Sequence, residues 1–356
     1  MNIEILQPPD SSPRWRETLA QFHHDVYHLP EYVELEARRS HTQAEAIIIT
    51  QGENIFFVPY LLRSCQDPLN SSDSSENYFD VLSPYGYPGF LWHGEESSLA
   101  KFLPLALQNL QDTLKFRGVC SAFFRLHPIL SELPPELNMF VDNGETVSID
   151  LTLTENDLWA HTRKGHQSTI NKCRRLGLES KVVPFEDHID VFLEIYNETM
   201  NRVVAKDSYY FGRDYFLDLL KLGNRVHLGI VEFKCQVICA SLFFECEGIV
   251  QAHLGGTLTE FLKYSPFNLL LHDMRLWAKE RGNTFLHIGG GIGGSKEDKL
   301  YTFKSGFSRQ RHRFRTVRWV IDPQKYAHLV DLRAQALGIS SNQLLETDFF
   351  PAYRQG

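Results

Sequence analysis

The sequence predicts an α/β protein with mixed sheets, and three observations carry that prediction. Apolar segments of strand length alternate with segments of helical period. In the first half the strands are joined mostly by short turns, as in a hairpin. In the second half a helix connects two strands after an antiparallel run, which predicts a sheet that divides where the crossover begins. The 356 residues exceed one ordinary core, so a first domain over 1–150, a second over 151–322 and a helical tail over 323–356 are expected.

Taken in order, 46–50 and 55–62 read as a hairpin across Gln51-Gly52-Glu53-Asn54. Residues 64–77 are polar and Ser/Asn/Asp-rich, a connector. Leu99, Phe102, Leu103, Leu107, Leu110 and Leu114 keep helical spacing over 96–116, and 119–126 is then a strand. Pro128, Pro134, Pro135 and Asn143-Gly144 mark turns over 127–144. Helices follow over 156–176, stopped by Gly177, over 186–202, and over 213–222, stopped by Gly223. Strands are expected over 225–233, 237–246 and 249–254. Ser265-Pro266 reads as the N-cap and first residue of a helix running to Arg281-Gly282. A strand over 284–288, a helix over 297–305 and a strand pair over 307–321 complete the order.

With 43% hydrophobic and 22% charged residues, the chain has the composition of a folded domain. Its longest apolar run, 237–244, is strand-sized, which excludes a membrane span. The N-terminus has neither a basic region nor a long apolar one, so no secretory signal is read and a cytoplasmic protein is expected. The six cysteines form no CxxC pair and read as reduced, buried thiols. The net charge of −8 is uneven: −12 over 1–150 and +4 over 151–356. An anionic ligand is therefore expected on the second half, and a general nucleic-acid coat protein is excluded.

The chemistry is expected at 284–307. An apolar strand runs into five glycines within six residues (289–294), and Lys304 follows between Phe303 and Phe307. Glycine at this density is retained where backbone approaches something closely or takes positive φ. The run ending in Ser295-Lys296 fails GxxxxGK[ST] because serine precedes lysine, so a nucleotide hydrolase loses its motif. A flexible turn or a flap over a cleft are the other readings of the run. Leu300, Phe303 and Phe307 share a helical face that seats the segment on the core, with Lys304 at its border. A lysine stem reaching solvent is the alternative for that residue. Residues 252–256 and 286–290 both place histidine and then Gly-Gly at a strand end, and neighbouring ends of this kind make a cleft beside the Ser265 helix.

Arg163, Lys164, Lys172, Arg174 and Arg175 sit on one probable helix, either a phosphate or carboxylate cradle or a solvated face. Arg309, Arg311, Arg313 and Arg315 alternate, so they share a strand face, as an anion surface or as edge protection. His23, His24 and His28 lack a third ligand for a metal, and no GxSxG elbow or catalytic-cysteine signature is present.

Five segments together resemble the Fem-type transferases and their acetyltransferase-like relatives of the GNAT superfamily. They are 57–60 (FVPY), 83–86 (SPYG), 164–177 (KGHQSTINKCRRLG), 252–266 (AHLGGTLTEFLKYSP) and 287–307 with its D-x-L-x-x-F-K-x-x-F. The resemblance implies a tandem pair of GNAT-like domains, the second catalytic. It also implies transfer of an acyl or aminoacyl group to an amine, usually on a cell-envelope precursor such as one of peptidoglycan. Lys304 matches the Fem-type lysine that steadies the carbonyl oxygen during attack, and His253 or His287 would relay the amine proton. Acceptor candidates are Tyr85, Lys164, Tyr210, Arg213 and Phe303; donor candidates are Gly255, Gly256, Ser265, Gly289, Gly290 and Gly291.

Two departures bear on the donor, acyl-CoA or aminoacyl-tRNA. The (Q/R)xxGx(G/A) pyrophosphate loop of many GNAT enzymes is replaced by 257–265, and the long charged helical hairpin of some Fem-type proteins is missing. No bound cofactor or metal is expected; the expected partners are a polar or lipid-linked acceptor and, for an aminoacyl donor, tRNA. The competing class is a non-catalytic GNAT-fold module that binds a nucleotide-sugar or envelope intermediate.

Overall fold

A computed structural model describes residues 1–65, 78–131, 140–292, 295 and 297–355. The chain forms two compact units, residues 1–143 with 314–356 and residues 144–313. Most of the 64–77 connector, Pro134, Pro135, and Gly293, Gly294 and Lys296 of the glycine run lie outside the described residues.

Unit one opens with β1 (Asn2–Leu6), α1 (Ser12–Leu19) and α2 (Pro30–Ser40). The expected hairpin is β2 (Gln43–Gln51) and β3 (Asn54–Ser64), turning at Gly52 with φ +60. Short strands β4 (Phe79–Leu82) and β5 (Leu91–His93) precede α3 (Glu96–Phe116) and β6 (Val119–Arg125). The sheet runs β1-β2-β3-β4-β6, antiparallel until β4 meets β6 in parallel. Leu103, Leu107, Leu110 and Leu114 of α3 pack onto Ile47, Val58, Ala122 and Phe124 of the strands, which is why the leucine spacing predicts that helix so well.

Next comes β7 (Phe140–Asp150), which carries Asn143-Gly144 within a strand rather than at a turn. Its residues from Gly144 belong to unit two. The single helix expected over 156–176 is two, α4 (Glu155–His161) and α5 (Lys164–Arg175). No proline or glycine breaks it. Thr162 turns extended because its hydroxyl caps the Leu158 carbonyl and receives Arg275, while the Arg163 amide donates to the Gly306 carbonyl at 2.7 Å. Then follow β8 (Glu179–Val183), α6 (Ile189–Arg202), α7 (Arg213–Leu219), β9 (Val226–Phe233), β10 (Gln236–Cys246), β11 (Ile249–Thr257), α8 (Phe267–Glu280), β12 (Phe285–Gly289) and α9 (Lys299–Ser305). The sheet order is β7-β12-β11-β10-β9-β8, with β11 and β12 its parallel pair. Its core lies between the strands and α5 and α8, built on Ile170, Leu270, Met274, Phe243 and Leu286.

The chain then returns to unit one through β13 (Arg311–Val320), a single strand where a pair was expected, which pairs with β6 from Thr316. Helices α10 (Pro323–Leu337) and α11 (Ser341–Leu345) follow. The expected helical tail over 323–356 belongs to unit one. Tyr353, with no exposure, hydrogen-bonds Ser121 at 2.6 Å and Asp80 at 3.1 Å, and Arg354 meets Asp80 at 2.6 Å. The reason is chemical: Asp80 is buried with Arg63 on one side and needs the second cation. The two units thus follow one plan: a strand, helices, an antiparallel run, a helix and a parallel strand, completed by a strand from elsewhere in the chain.

Five of the six cysteines are buried; Cys235, in the left-handed turn between β9 and β10, is exposed, contrary to expectation.

Candidate active site

In unit two the parallel pair comes apart. The β11–β12 ladder joins Ile249–Gln251 to Phe285–His287 and stops, although β11 continues to Thr257 and β12 to Gly289. Gly289 takes φ +73 next to a bulge against β7, a conformation that costs a side-chain-bearing residue and swings the chain away from β11. In unit one the corresponding β4–β6 pair stays closed: the Ser83 amide donates to Phe123 and its hydroxyl accepts from the Arg125 amide. Only the second sheet opens at this position.

Lys304 lies next to the end of β12. Its ammonium donates to the Gly290 carbonyl at 2.7 Å, just past the end of β12. Part of the side chain reaches solvent, but the ammonium end is enclosed, and burial pushes its pKa down to about 8 against the opposing pull of Asp298. The Gly290 carbonyl is the hydrogen-bond partner of the ammonium among the described residues, and an ammonium carries three donors.

Helix α9 that carries Lys304 is fixed at both ends. Asp298 caps it by accepting from the Tyr301 amide at 2.8 Å, and the Tyr301 hydroxyl donates to Glu145 at 2.6 Å. At the other end α5 grips its last carbonyls: His166 donates from Nε2 to Phe303 at 2.8 Å, and Arg163 donates to Thr302 at 3.1 Å. Burial keeps His166 neutral by pushing its pKa down. Phe303 is packed between His166, Phe267 and Phe307. Gly306 permits the grip, since a Cβ there would stand 2.3 Å from His166 Nε2. Replacing Gly306 with alanine is expected to displace His166 and shift Lys304. The expected result is a stability loss of about 1–3 kcal/mol in urea unfolding. A turnover loss larger than the fraction unfolded explains should accompany it.

The two histidines lie elsewhere on the sheet. His287 is buried on β12 and donates from Nδ1 to Gln251 at 2.6 Å; with Ser148 of β7 they form a polar row in register across three strands. His253 sits on β11 beyond the last paired residue, half-buried, sharing a 3.2 Å hydrogen bond with the Tyr215 hydroxyl. Gly255 and Gly256 back onto Ser241 and Thr199, and Gly290 and Gly291 onto the Glu145 carbonyl and Asp298, so the protein's own packing occupies these positions. Ser265 is not a side-chain cap. It ends a short turn in the left-handed region, its hydroxyl faces back toward Leu262 at 3.4 Å, and α8 starts two residues later.

Among the acceptor candidates, Arg213 is paired with Asp190 at the surface at 2.9 Å, and Tyr210 donates to Asn201 at 3.0 Å. Lys164 is exposed at the start of α5. Tyr85, in unit one, is held by its backbone, its amide donating to Glu36 and its carbonyl accepting from Tyr32. Within unit two the structure gathers Lys304 and Phe303 with Gly289–Gly291, while Tyr210, Arg213, His253 and His287 hydrogen-bond Asn201, Asp190, Tyr215 and Gln251 respectively. Of the arginine row, Arg311 turns back onto the carbonyls of Ser305, Ser308 and Gln310, and Arg315 pairs with Asp142.

Sequence reasoning missed Glu145, Asp298, Tyr301 and His166. Asp298 three residues before Tyr301 is a legible cap; the Glu145–Tyr301 contact spans 156 positions and leaves no local signal.

Comparisons with known proteins bear on the fold. The family model described as acetyltransferase (GNAT) domain matches residues 160–305, which hold the open split, α5 and α9. The fold is similar to that of FemX, with a TM-score of 0.65 and 11% identity over 88% of this chain and 96% of that one. It is also similar to L-PGS from Bacillus licheniformis (0.53, 14%, 87% and 92%). The C-terminal domain of a putative lysylphosphatidylglycerol synthetase from Agrobacterium fabrum matches as well (0.53, 12%, 86% and 91%). At these identities the likeness is one of fold. No curated protein matches by sequence.

Proposed function

We propose that the protein is a Fem-like acyltransferase of the GNAT superfamily that moves an acyl or aminoacyl group directly onto the amine of a cell-envelope or polysaccharide precursor. The observation that carries this reading is the enclosed Lys304 ammonium at the Gly290 carbonyl, beside the parted strands. As the amine attacks, the carbonyl oxygen gains charge, and a cation already in place stabilises that state more than the ground state. Collapse of the tetrahedral adduct expels the donor's thiol or ribose hydroxyl, so no covalent enzyme intermediate is involved. His253, half-buried on the part of β11 that extends past its pairing with β12, would take the amine proton, while His287 is engaged with Gln251. FemX and a lysylphosphatidylglycerol synthetase domain among the similar folds favour an envelope acceptor. The donor is an acyl-CoA or an aminoacyl-tRNA.

The test is to incubate the full chain with each donor class and a panel of amines, including UDP-linked muropeptides and hexosamines, and to follow products by mass. An N-acylated product is expected. Binding of a donor or acceptor with no product from any pair would instead support a non-catalytic module. Lys304 is charged below its pKa of about 8, so the rate of transfer falls as pH rises through that value. A Lys304→Arg variant that retains any turnover is expected to lose this alkaline limb, because a guanidinium stays protonated.

A further inference from the structure

Unit two has a concavity formed by α4, α5 and α8, with a volume of about 540 Å³, within the range of small-molecule sites. It shares no residue with the Lys304 cluster. Its floor is His272, which has 6% exposure and lines the recess. Arg275 behind it is completely buried and donates to His272 Nδ1 at 2.7 Å, its other nitrogen bonding the Thr162 hydroxyl at 2.8 Å. With Nδ1 accepting, the proton of the neutral ring sits on Nε2, so the imidazole offers a fixed donor. Burial keeps the ring neutral, its pKa pushed down to about 3. Trp159 stands edge-on to this ring at 5.2 Å and is half-buried, presenting an apolar platform.

Around the platform are Asn156, Asn171 and Glu155, exposed side chains that make no hydrogen bond among the described residues. Arg174 is tied to Asp273 at 2.9 Å. The charged residues that line the recess are one cation, Arg174, and one carboxylate, Glu155, so its lining carries no net charge. That balance disfavours a phosphate or a carboxylate, and the polar rim disfavours a wholly apolar ligand. An aromatic face ringed by planar amides, a carboxylate, a guanidinium and an imidazole donor suits a ring with apolar C–H faces and hydroxyls at its edge.

We propose that this recess binds a neutral pyranose sugar, stacked on Trp159 with hydroxyls on Asn156, Asn171 and His272. The site would hold a saccharide away from the transfer centre, and it does not depend on the reaction assigned there. Saturation-transfer NMR on the full chain tests it, with glucose, mannose and N-acetylglucosamine as probes at millimolar concentration and inorganic phosphate and acetate as the anionic arm. At least one sugar should bind, and Asn171→Ala and Trp159→Ala should each weaken it roughly ten-fold or more. Asn171 is exposed on α5, so its variant should melt like the parent and separates a binding loss from misfolding. The proposal is overturned by the absence of transfer to any sugar, by sugar binding that both variants leave unchanged, or by binding of the anions alone.

Discussion

Replacing Lys304 with methionine is expected to slow transfer roughly 100- to 1000-fold, the cost of losing one preorganised oxyanion donor, while the protein melts at no lower temperature than its parent. The two halves of this prediction have one cause. The ammonium is enclosed, and burial lowers its pKa from 10.5 to about 8, so the folded state disfavours the charge that catalysis needs. By linkage, a lysine whose folded pKa is depressed penalises folding below that pKa, and the penalty is relieved as pH rises from about 8 toward 10.5. Methionine has similar length and no charge, so it removes the penalty along with the function. Steady-state kinetics and thermal melts of the same preparations check both. A variant that turns over normally removes Lys304 from the mechanism, and one that is inactive only because it unfolds removes the argument from burial.

Replacing Tyr353 with alanine is expected to cost about 3–5 kcal/mol in urea unfolding, the scale for truncating a fully buried aromatic. Tyr353 has no exposure, stacks edge-on against Tyr326 at 5.4 Å and donates into the Ser121–Asp80 pair. Its loss also leaves buried Asp80 dependent on Arg63 and Arg354. The large effect would come from a residue with only three others after it in the sequence, where a tail in solution would predict almost none. A change within about 0.5 kcal/mol, as for an ordinary surface site, would mean that 323–356 does not belong to the unit-one core.

Much of the fold is legible where local chemistry and burial agree. The β2–β3 hairpin follows from Gly52 between apolar runs, and α3 from leucines that all face one sheet. Reading fails where a distant partner decides. Thr162-Arg163 looks helical and breaks because Arg275 and Gly306 claim its groups. Asn143-Gly144 looks like a turn and runs through β7, since the strand continues into the pairing of Val147–Asp150 with β12. Ser265 looks like a cap, but the turn before it leaves it left-handed.

The site divides in the same way. Lys304 is readable from its motif, and the parting of β11 from β12 from the order of elements. The glycines are readable as close approaches, though what approaches Gly290 and Gly291 is the protein itself. The Gly290 carbonyl as the lysine's partner, and the α5 grip on Thr302 and Phe303, join residues too far apart in sequence to leave a local trace.

The most direct measurement is the titration of the Lys304 amine itself, followed by NMR in protein carrying 13C-labelled lysine, with Lys304→Met used to assign the resonance. A midpoint near 8 is expected if the ammonium is enclosed against the Gly290 carbonyl. A midpoint at the ordinary lysine value of 10.5 would place the amine in open water and contradict the role assigned to it.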